Sequence, residues 1–263
     1  MKLKEFQYKL SIITVNLNNK CGLQKTIDSV IAQTYKDFEW IIIDGGSTDG
    51  SKELIEKYGD YISHWVSKSD NGIYNAMNKG IRVAHGEYLL FLNSGDFFYR
   101  NDILENVISR LKGKDLYVGD FIVENYSSKL DLSTSHKIIE TLLKTGFPHQ
   151  SIFYHHHVFY KEGFYREDLK TCSDWILNIK AVIFGNAIIE KLPFVISVYE
   201  PGGISSQKEA VAKDLKKLTD ENKNLSDIFA FYVKYSSLIE KIRNDSILHH
   251  LGLWYARNIK RWV

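Results

Sequence analysis

Short apolar runs alternate with helical patterns through the first half of the chain. Residues 10–15 (LSIITV) form a continuous, largely β-branched run, and residues 22–33 follow with apolar side chains at helical spacing. A continuous apolar run of this length is typical of a strand that is buried on both faces. The same alternation predicts further strands at 38–43, 64–67, 88–92 and 116–123, and further helices at 49–58, 73–84 and 102–111.

This order of elements predicts the α/β class, with a mostly parallel, Rossmann-like central sheet and helices on both of its faces. In such sheets, ligands bind beyond the carboxyl ends of the strands. Asp44 and Asp96 each come just after an apolar strand. These two acids are therefore the first candidates for ligand binding.

The pattern changes after about residue 131. Residues 146–170 are rich in aromatic and histidine side chains, and they are typical of loops and short strands. Helical spacing returns in the remainder, which predicts helices at 173–184, 209–225 and 227–243. We find no internal repeat and no Pro/Gly/Ser linker. The prediction is one domain over residues 1–207, with halves 1–125 and 126–207, followed by a helical extension over residues 208–263.

Composition narrows the class of protein. The chain has 263 residues, of which 44% are hydrophobic, and its net charge is +2, which does not favour a nucleic-acid partner. Two cysteines suit neither a disulfide framework nor a zinc site. The N-terminus shows no signal-peptide pattern, and no run approaches the roughly 18 apolar residues of a membrane span. We therefore expect a cytoplasmic location.

The turn Asn93-Ser94-Gly95-Asp96 follows the predicted strand at 88–92. A carboxylate on a turn that is fixed by a buried strand is well placed to hold Mg²⁺ or Mn²⁺ against a diphosphate. An Asp at this point also caps turns and helices. The tetrapeptide alone leaves both interpretations open.

Two further polar segments carry candidate chemistry. Residues 44–50 (DGGSTDG) resemble a P-loop, but Ser51-Lys52 follows instead of Lys-Ser, which disfavours a Walker-type nucleotidase. No GxGxxG follows the first strand, which counts against a dinucleotide dehydrogenase. In residues 70–80, Asp70 is either an N-cap or a ligand, and Asn78 either lines a pocket or faces solvent.

Taken together, these segments resemble the inverting family 2 glycosyltransferases with the A-type nucleotide-sugar fold, above all the bacterial members that assemble capsule, exopolysaccharide or O-antigen. The resemblance is carried by residues 10–18, 28–34, 38–50, 71–80 and 86–96. Residues 148–151 and 173–175 are similar, more loosely, to the acceptor-side segments of that family. The match is ordered over about the first 100 residues, which makes it more specific than any one motif.

The resemblance implies a role for each matching residue. Residues 1–125 would bind the nucleotide-sugar and residues 126–207 the acceptor. Asp96 would bind Mn²⁺ or Mg²⁺, and Asp174 would be the catalytic base. The nucleotide-sugar site would include Thr14, Val15, Asn16, Asp44, Asp70, Asn78, Ser94 and Gly95. Without the resemblance, Asp174 is better explained as a helix N-terminal acid stabilised by the helix dipole.

The sequence departs from the family at three points. The usual Asp-x-Asp-Asp is reduced to Asp96 alone, Gly45 replaces the second acid of an Asp-Asp pair, and Ser173 precedes the base instead of an acid. Asp96 would then work with fewer carboxylates. His149 is a candidate for an extra metal ligand or an acceptor contact, with a satisfied structural histidine as the alternative.

The expected function is transfer of a sugar, with inversion, from a nucleoside-diphosphate sugar, UDP-linked by expectation, to a glycan or lipid-linked acceptor in bacterial surface polysaccharide synthesis. The alternative is a non-catalytic, glycosyltransferase-like binding partner. A nucleotidyltransferase is disfavoured because residues 16–19 lack a glycine-rich basic loop. The triple His155-His156-His157 is not expected to bind metal, since adjacent strand residues point to opposite faces.

Two segments near the C-terminus each have two possible roles. Residues 202–206 (GGISS) are either a loop that closes over the sugar donor or an ordinary connection. The tail over residues 246–263 combines basic and tryptophan side chains. It either lies on an anionic membrane surface, which would make the protein peripheral at the inner face of the cell membrane, or packs back on the domain.

Overall fold

The computed structural model describes residues 6–123, 126–144, 146–199, 203, 207–221, 223 and 226–227. Nearly all of the helix predicted at 227–243, the segment 202–206 apart from Gly203, and the tail over 246–263 lie outside these residues. In the described part of the chain, no helix is both long enough and apolar enough to cross a membrane.

The first four strands form a parallel sheet. They are β1 (Tyr8–Asn16), β2 (Glu39–Asp44), β3 (His64–Ser67) and β4 (Gly86–Phe91), in the spatial order β3-β2-β1-β4. Each pair is parallel, so the carboxyl ends of all four strands meet at one edge. The predicted location of these four strands is confirmed, and each strand end lies within two residues of its predicted position.

The second half of the sheet is mixed. Its strands are β5 (Phe97–Phe98), β6 (Leu116–Val123), β7 (Tyr126–Ser128), β8 (Ile152–His155) and β9 (Ile189–Tyr199). The order continues from β4 as β8-β6-β9-β5, with β7 paired to β6. Strand β8 runs antiparallel to both neighbours, whereas β6 and β9 are parallel. The sheet is therefore mostly parallel, as predicted, with antiparallel exceptions at β5, β7 and β8.

Helices cover both faces of the sheet. One face carries α1 (Lys20–Ile31), α2 (Ser51–Lys57) and α4 (Ile103–Ile108). The other carries α3 (Ile73–Val83), α5 (Ser135–Lys144), α6 (His157–Glu162), α7 (Ser173–Ile179) and α8 (Lys208–Glu221). A π-helical segment, Lys180–Phe184, continues α7. Short 3₁₀ turns lie at Gly59–Tyr61 and His149–Ser151.

Side chains of each strand alternate between two cores. In β1, Leu10 and Ile12 pack on the α1 face, whereas Ile13 and Val15 pack on the α3 face. All four are buried. This period of two on a strand that faces a core on both sides explains why residues 10–15 are apolar apart from Ser11 and Thr14.

The region after residue 131 contains helices that the sequence pattern did not reveal. Helices α5 and α6 were not predicted. The three adjacent histidines do not lie in one strand, because His155 ends β8 and His157 begins α6. Helix α8 packs on the core through Leu218, so it is attached to the domain, although the predicted boundary after residue 207 stays a prediction.

Candidate active site

A buried carboxylate joins the ends of three neighbouring strands. Asn16 lies opposite Asp44 in the sheet, and Asp44 lies opposite Ser67. Asp44 accepts hydrogen bonds from Asn16 Nδ2 (2.7 Å), Ser47 Oγ (2.5 Å) and Ser67 Oγ (2.6 Å). Burial by itself would raise the pKa of Asp44, but these hydrogen bonds outweigh it and hold the pKa below its ordinary value. Asp44 is thus ionised, and it holds Asn16, Ser47 and Ser67 together at this edge of the sheet.

Asp70 lies against Gly45, the first departure from the family pattern. A Cβ atom added to Gly45 would lie 2.8 Å from Asp70 Oδ2, and Gly45 N donates to Asn16 O (2.8 Å). The other Asp70 oxygen accepts from Gly72 N (3.0 Å). A side chain at position 45 would therefore require the Asp70 carboxylate to shift.

The turn Asn93–Asp96 follows β4 and is held by α1 and β1. Gly95 has a φ of +105°, which a residue with a side chain rarely adopts. Thr26 Oγ1 donates to Asp96 O (2.7 Å) and accepts from Gly95 N (3.0 Å). Ser94 N donates to Val15 O (3.0 Å). The turn is fixed from two sides, and Asp96 within it is only 5% exposed.

Thr26→Val tests this support. Valine keeps the shape of threonine but removes the hydroxyl, so the Gly95 N–H loses its acceptor inside the protein. An unpaired buried donor costs about 1–3 kcal/mol, and we expect the free energy of unfolding in urea to fall by that amount. Thr26→Ser keeps the hydroxyl and is the matched control. Equal stability of the valine and serine variants would show that the hydroxyl does not hold the turn.

A chain of four side chains connects this turn to α7. His149, on the 3₁₀ turn before β8, places its Nδ1 3.0 Å from Asp174 Oδ2 and its Nε2 2.9 Å from Asn93 Nδ2. Tyr74 of α3 donates its hydroxyl to Asp174 Oδ1 (2.8 Å). Both ring nitrogens of His149 thus have protein partners. Asn93, His149 and Asp174 are brought together although the sequence separates them by up to about 80 residues.

His149 and Asp174 shift each other's pKa. Burial by itself would lower the pKa of His149, but the carboxylates of Asp174 and Asp96 raise it above its ordinary value. Burial would raise the pKa of Asp174, but His149 and Tyr74 hold it below the usual range. The two side chains are 19% and 18% exposed, so part of each is open to solvent. Asp174 is therefore an ionised carboxylate with a fixed orientation.

Comparison with known proteins gives this arrangement a family. The model of glycosyl transferase family 2 matches residues 11–169. A PGL/p-HBAD biosynthesis glycosyltransferase of Mycobacterium tuberculosis is 32% identical over 203 residues, which cover 74% of this chain and 78% of the relative. The chain belongs to glycosyl transferase family 2.

Solved structures show the same fold as this family 2 chain. TarS of S. aureus in complex with UDP-GlcNAc aligns with a TM-score of 0.63 at 19% identity, over 76% of this chain and 61% of TarS. The chain thus spans about three fifths of that TarS structure. The mannosyltransferase PcManGT of Pyrobaculum calidifontis, in complex with GDP-Man and Mn²⁺, aligns with a TM-score of 0.59 at 17% identity, over 81% and 65% of the two chains. The predicted A-type fold is confirmed.

Three residues predicted for the nucleotide-sugar site have other surroundings in this family 2 chain. Thr14 is fully buried and accepts a hydrogen bond from Trp40 Nε1 (3.1 Å), while Val15 packs in the core. Asn78 exchanges hydrogen bonds with the backbone of Tyr165 (2.8 and 3.0 Å). The side chains of these three residues are thus engaged within the protein, and their assignment to the nucleotide-sugar site stays a prediction.

Two asparagines carry buried oxygens that have no hydrogen-bond partner. They are Asn16 Oδ1, at the end of β1, and Asn93 Oδ1, in the turn after β4. Each asparagine uses its amide nitrogen to bond a functional neighbour, Asp44 or His149. Because buried acceptors are nearly always satisfied, unpaired ones at a candidate site indicate where a ligand would bond.

Sequence reasoning missed Thr26 and Tyr74. Tyr74 lies within residues 71–80, which carry part of the family resemblance, but nothing local distinguishes it from its neighbours. Thr26 belongs to the buried face of α1. Its only signal in the sequence is a hydroxyl among apolar side chains at helical spacing.

Proposed function

We propose that this family 2 glycosyltransferase moves a sugar from a nucleoside-diphosphate sugar, preferably UDP-linked, to a hydroxyl of a glycan or lipid-linked acceptor, with inversion, in the synthesis of a bacterial surface polysaccharide. One observation carries the proposal. Asp174 is joined through His149 to the turn that holds Asp96. A carboxylate suited to deprotonate an acceptor thus borders the strand edge suited to bind a sugar nucleotide.

The strand edge offers groups that match a nucleoside. The unpaired Asn16 Oδ1 suits a hydrogen-bond donor such as a ribose hydroxyl or a base N–H. Asp70, beside Gly45, adds a second acceptor at the same edge. Asp44 fixes Asn16 and the backbone of Gly46 and Ser47 at this edge. We assign Asp44 to holding the nucleoside site and Asn16 and Asp70 to contacting the nucleoside.

The residues present also fit a divalent cation, Mn²⁺ or Mg²⁺. Asp96 and the unpaired Asn93 Oδ1 belong to one turn and are oxygen donors of the kind that these ions prefer. Among the described residues, no three His, Cys, Asp or Glu side chains are grouped to hold a metal. Diphosphate oxygens and water would complete the coordination. When bound, the cation neutralises charge on the leaving diphosphate.

Asp174 has the geometry of a general base. A carboxylate offers about four lone-pair positions, and His149, Tyr74 and the Trp175 backbone N–H occupy three of them, which leaves one for the acceptor hydroxyl. As the acceptor oxygen bonds to C1 of the sugar, the bond from C1 to the diphosphate oxygen breaks. The hydroxyl proton passes to Asp174, and the nucleoside diphosphate leaves with the bonding electrons. Attack from the face opposite the leaving group inverts the anomeric carbon.

A binding screen tests the sugar-donor half of the proposal. Thermal unfolding would be measured with UDP-, GDP- and dTDP-sugars, each with and without Mn²⁺. Since a ligand that binds only the folded state raises the midpoint, one nucleotide class should raise it with Mn²⁺ and much less without it. No shift with any sugar nucleotide would overturn the proposed sugar donor.

A non-catalytic binding partner is the second candidate. It is favoured by the neutral residues Asn93 and Gly95, which stand where the family carries acids. Such a protein would bind the nucleotide and produce no transfer. The tail over residues 246–263 lies outside the described residues, so its proposed contact with an anionic membrane stays a prediction.

A further inference from the structure

Helix α8 places one carboxylate under the segment that leads to Asp174. Asp214, which is 5% exposed, accepts from Lys170 N (2.8 Å) and Thr171 N (2.6 Å) through its Oδ2 atom. The same atom accepts from Cys172 N (3.3 Å) and from Thr171 Oγ1 (2.9 Å). Three consecutive backbone N–H groups and one hydroxyl therefore converge on a single oxygen.

These N–H groups belong to the approach to α7. The residue that precedes α7, Cys172, makes no side-chain cap hydrogen bond, and Asp174 is the second residue of that helix. Asp214 lies about 40 residues further along the chain and bonds the segment in place of a local cap. Four hydrogen bonds to one oxygen hold this segment in place more firmly than a single cap would.

Helix α8 also forms ion pairs with the start of the same segment. Arg166 pairs with Glu221 (2.7 Å), and Lys217 pairs with Asp168 (2.6 Å). The backbone N of Arg166 also donates to Ser173 Oγ, next to the base. The segment 166–172 is thus tied to α8 at both ends, and Leu218 fixes α8 itself in the core.

We propose that Asp214 is a positioning residue for Asp174. This inference rests on the proposed function, in which Asp174 is the base. The family match ends at residue 169, so both Asp174 and its support come from the part of the chain beyond it. A base misplaced by about 1 Å can cost about 10²-fold in rate. Asp214 would therefore govern turnover without touching the sugar nucleotide.

The test compares Asp214→Ala and Asp214→Asn with Asp220→Asn, a change of an exposed acid on the same helix. The sugar nucleotide from a panel of UDP-, GDP- and dTDP-sugars that is turned over fastest serves as substrate. We expect kcat of Asp214→Ala to fall by about 10²-fold, with the KM for the sugar nucleotide within about twofold. Asparagine keeps one acceptor oxygen and should restore part of the loss. Asp220→Asn should match the wild type.

A double substitution separates this inference from the proposed function. If Asp214 acts through Asp174, Asp214→Asn should lower the residual turnover of Asp174→Asn no further. Full activity of Asp174→Asn would overturn the base assignment. A dead Asp174→Asn with fully active Asp214 variants would overturn the positioning role alone. If Asp214→Ala does not fold, Asp214→Asn is the variant that decides.

Hydrogen exchange provides a readout that needs no substrate. Amides of residues 170–174 should exchange faster in Asp214→Asn than in the wild type and Asp220→Asn, while those of β1 to β4 stay unchanged. Unchanged exchange at 170–174 would contradict the inference, whatever the activity of the protein.

Discussion

Turnover is expected to fall by about 10²–10⁴-fold when Asp174 is replaced by asparagine, which is the range of a general base in other enzymes. The amide has nearly the shape of the carboxylate but cannot take the proton of the acceptor hydroxyl. The proposed nucleotide site lies at the ends of β1, β2 and β4, so the affinity for the sugar nucleotide should hold. Steady-state kinetics with a titration of the nucleotide would separate the two effects.

The control for this change is Asp37→Asn. Asp37 is exposed and precedes β2, away from the cleft. It undergoes the same chemical change and should leave turnover unaltered. Turnover of Asp174→Asn near that of Asp37→Asn would remove Asp174 from the mechanism and leave its pairing with His149 as a structural contact.

Asp96→Ala should abolish most of the Mn²⁺-dependent binding of the nucleoside diphosphate. Loss of an outer-shell partner already weakens metal binding by about 10–100-fold, so loss of the coordinating carboxylate should reach about 100-fold or more. Calorimetric titration of UDP or GDP, with and without Mn²⁺, measures this directly. In the absence of Mn²⁺, the variant and the wild type should differ much less.

Asp60→Ala is the matched control, because Asp60 is an exposed acid on the 3₁₀ turn Gly59–Tyr61. Its Mn²⁺ dependence should equal that of the wild type. Unchanged Mn²⁺-dependent binding in Asp96→Ala would place the metal elsewhere and would leave Asp96 as a structural part of the turn that Thr26 holds.

The sequence alone predicts the half of the fold in which the strands are buried on both faces. Residues 10–15 and 38–43 are mostly apolar because each strand faces a core on both sides, with Ser11, Thr14 and Glu39 as the polar exceptions, and this pattern differs from that of a surface strand. The polar residues that end these strands then follow from the shared edge of a parallel sheet. Asp44 and Asp96 were identified in this way as candidate ligand-binding residues.

Side-chain direction at the edge could not be predicted from position. Thr14 and Asn16 both end β1, yet Thr14 bonds Trp40 in the core and Asn16 bonds Asp44 at the edge. The two residues are two positions apart and share a face of β1, so their distance along the strand, and not its alternation, gives them different partners. Asn78 likewise bonds Tyr165 through its side chain, and its assignment to the nucleotide-sugar site stays a prediction.

The acceptor side depends on contacts between distant parts of the chain. His149 meets Asp174 and Asn93 only because β8 inserts between β4 and β6 and carries the preceding turn to the cleft. Asp214 resembles an ordinary acid of a charged, solvated helix until its four hydrogen bonds to residues 170–172 are seen. No local pattern in the sequence predicts the contacts of His149 or those of Asp214.

The account is tested most directly by the release of nucleoside diphosphate from a panel of sugar nucleotides, with Mn²⁺ and a bacterial glycolipid extract as acceptor. The wild type should release the diphosphate from one nucleotide class in an acceptor-dependent manner, and both Asp96→Ala and Asp174→Asn should fall to near background. Binding of the nucleotide without acceptor-dependent release by the wild type would contradict catalysis and favour a binding partner. Equal release by all three proteins would contradict the assignment of both carboxylates.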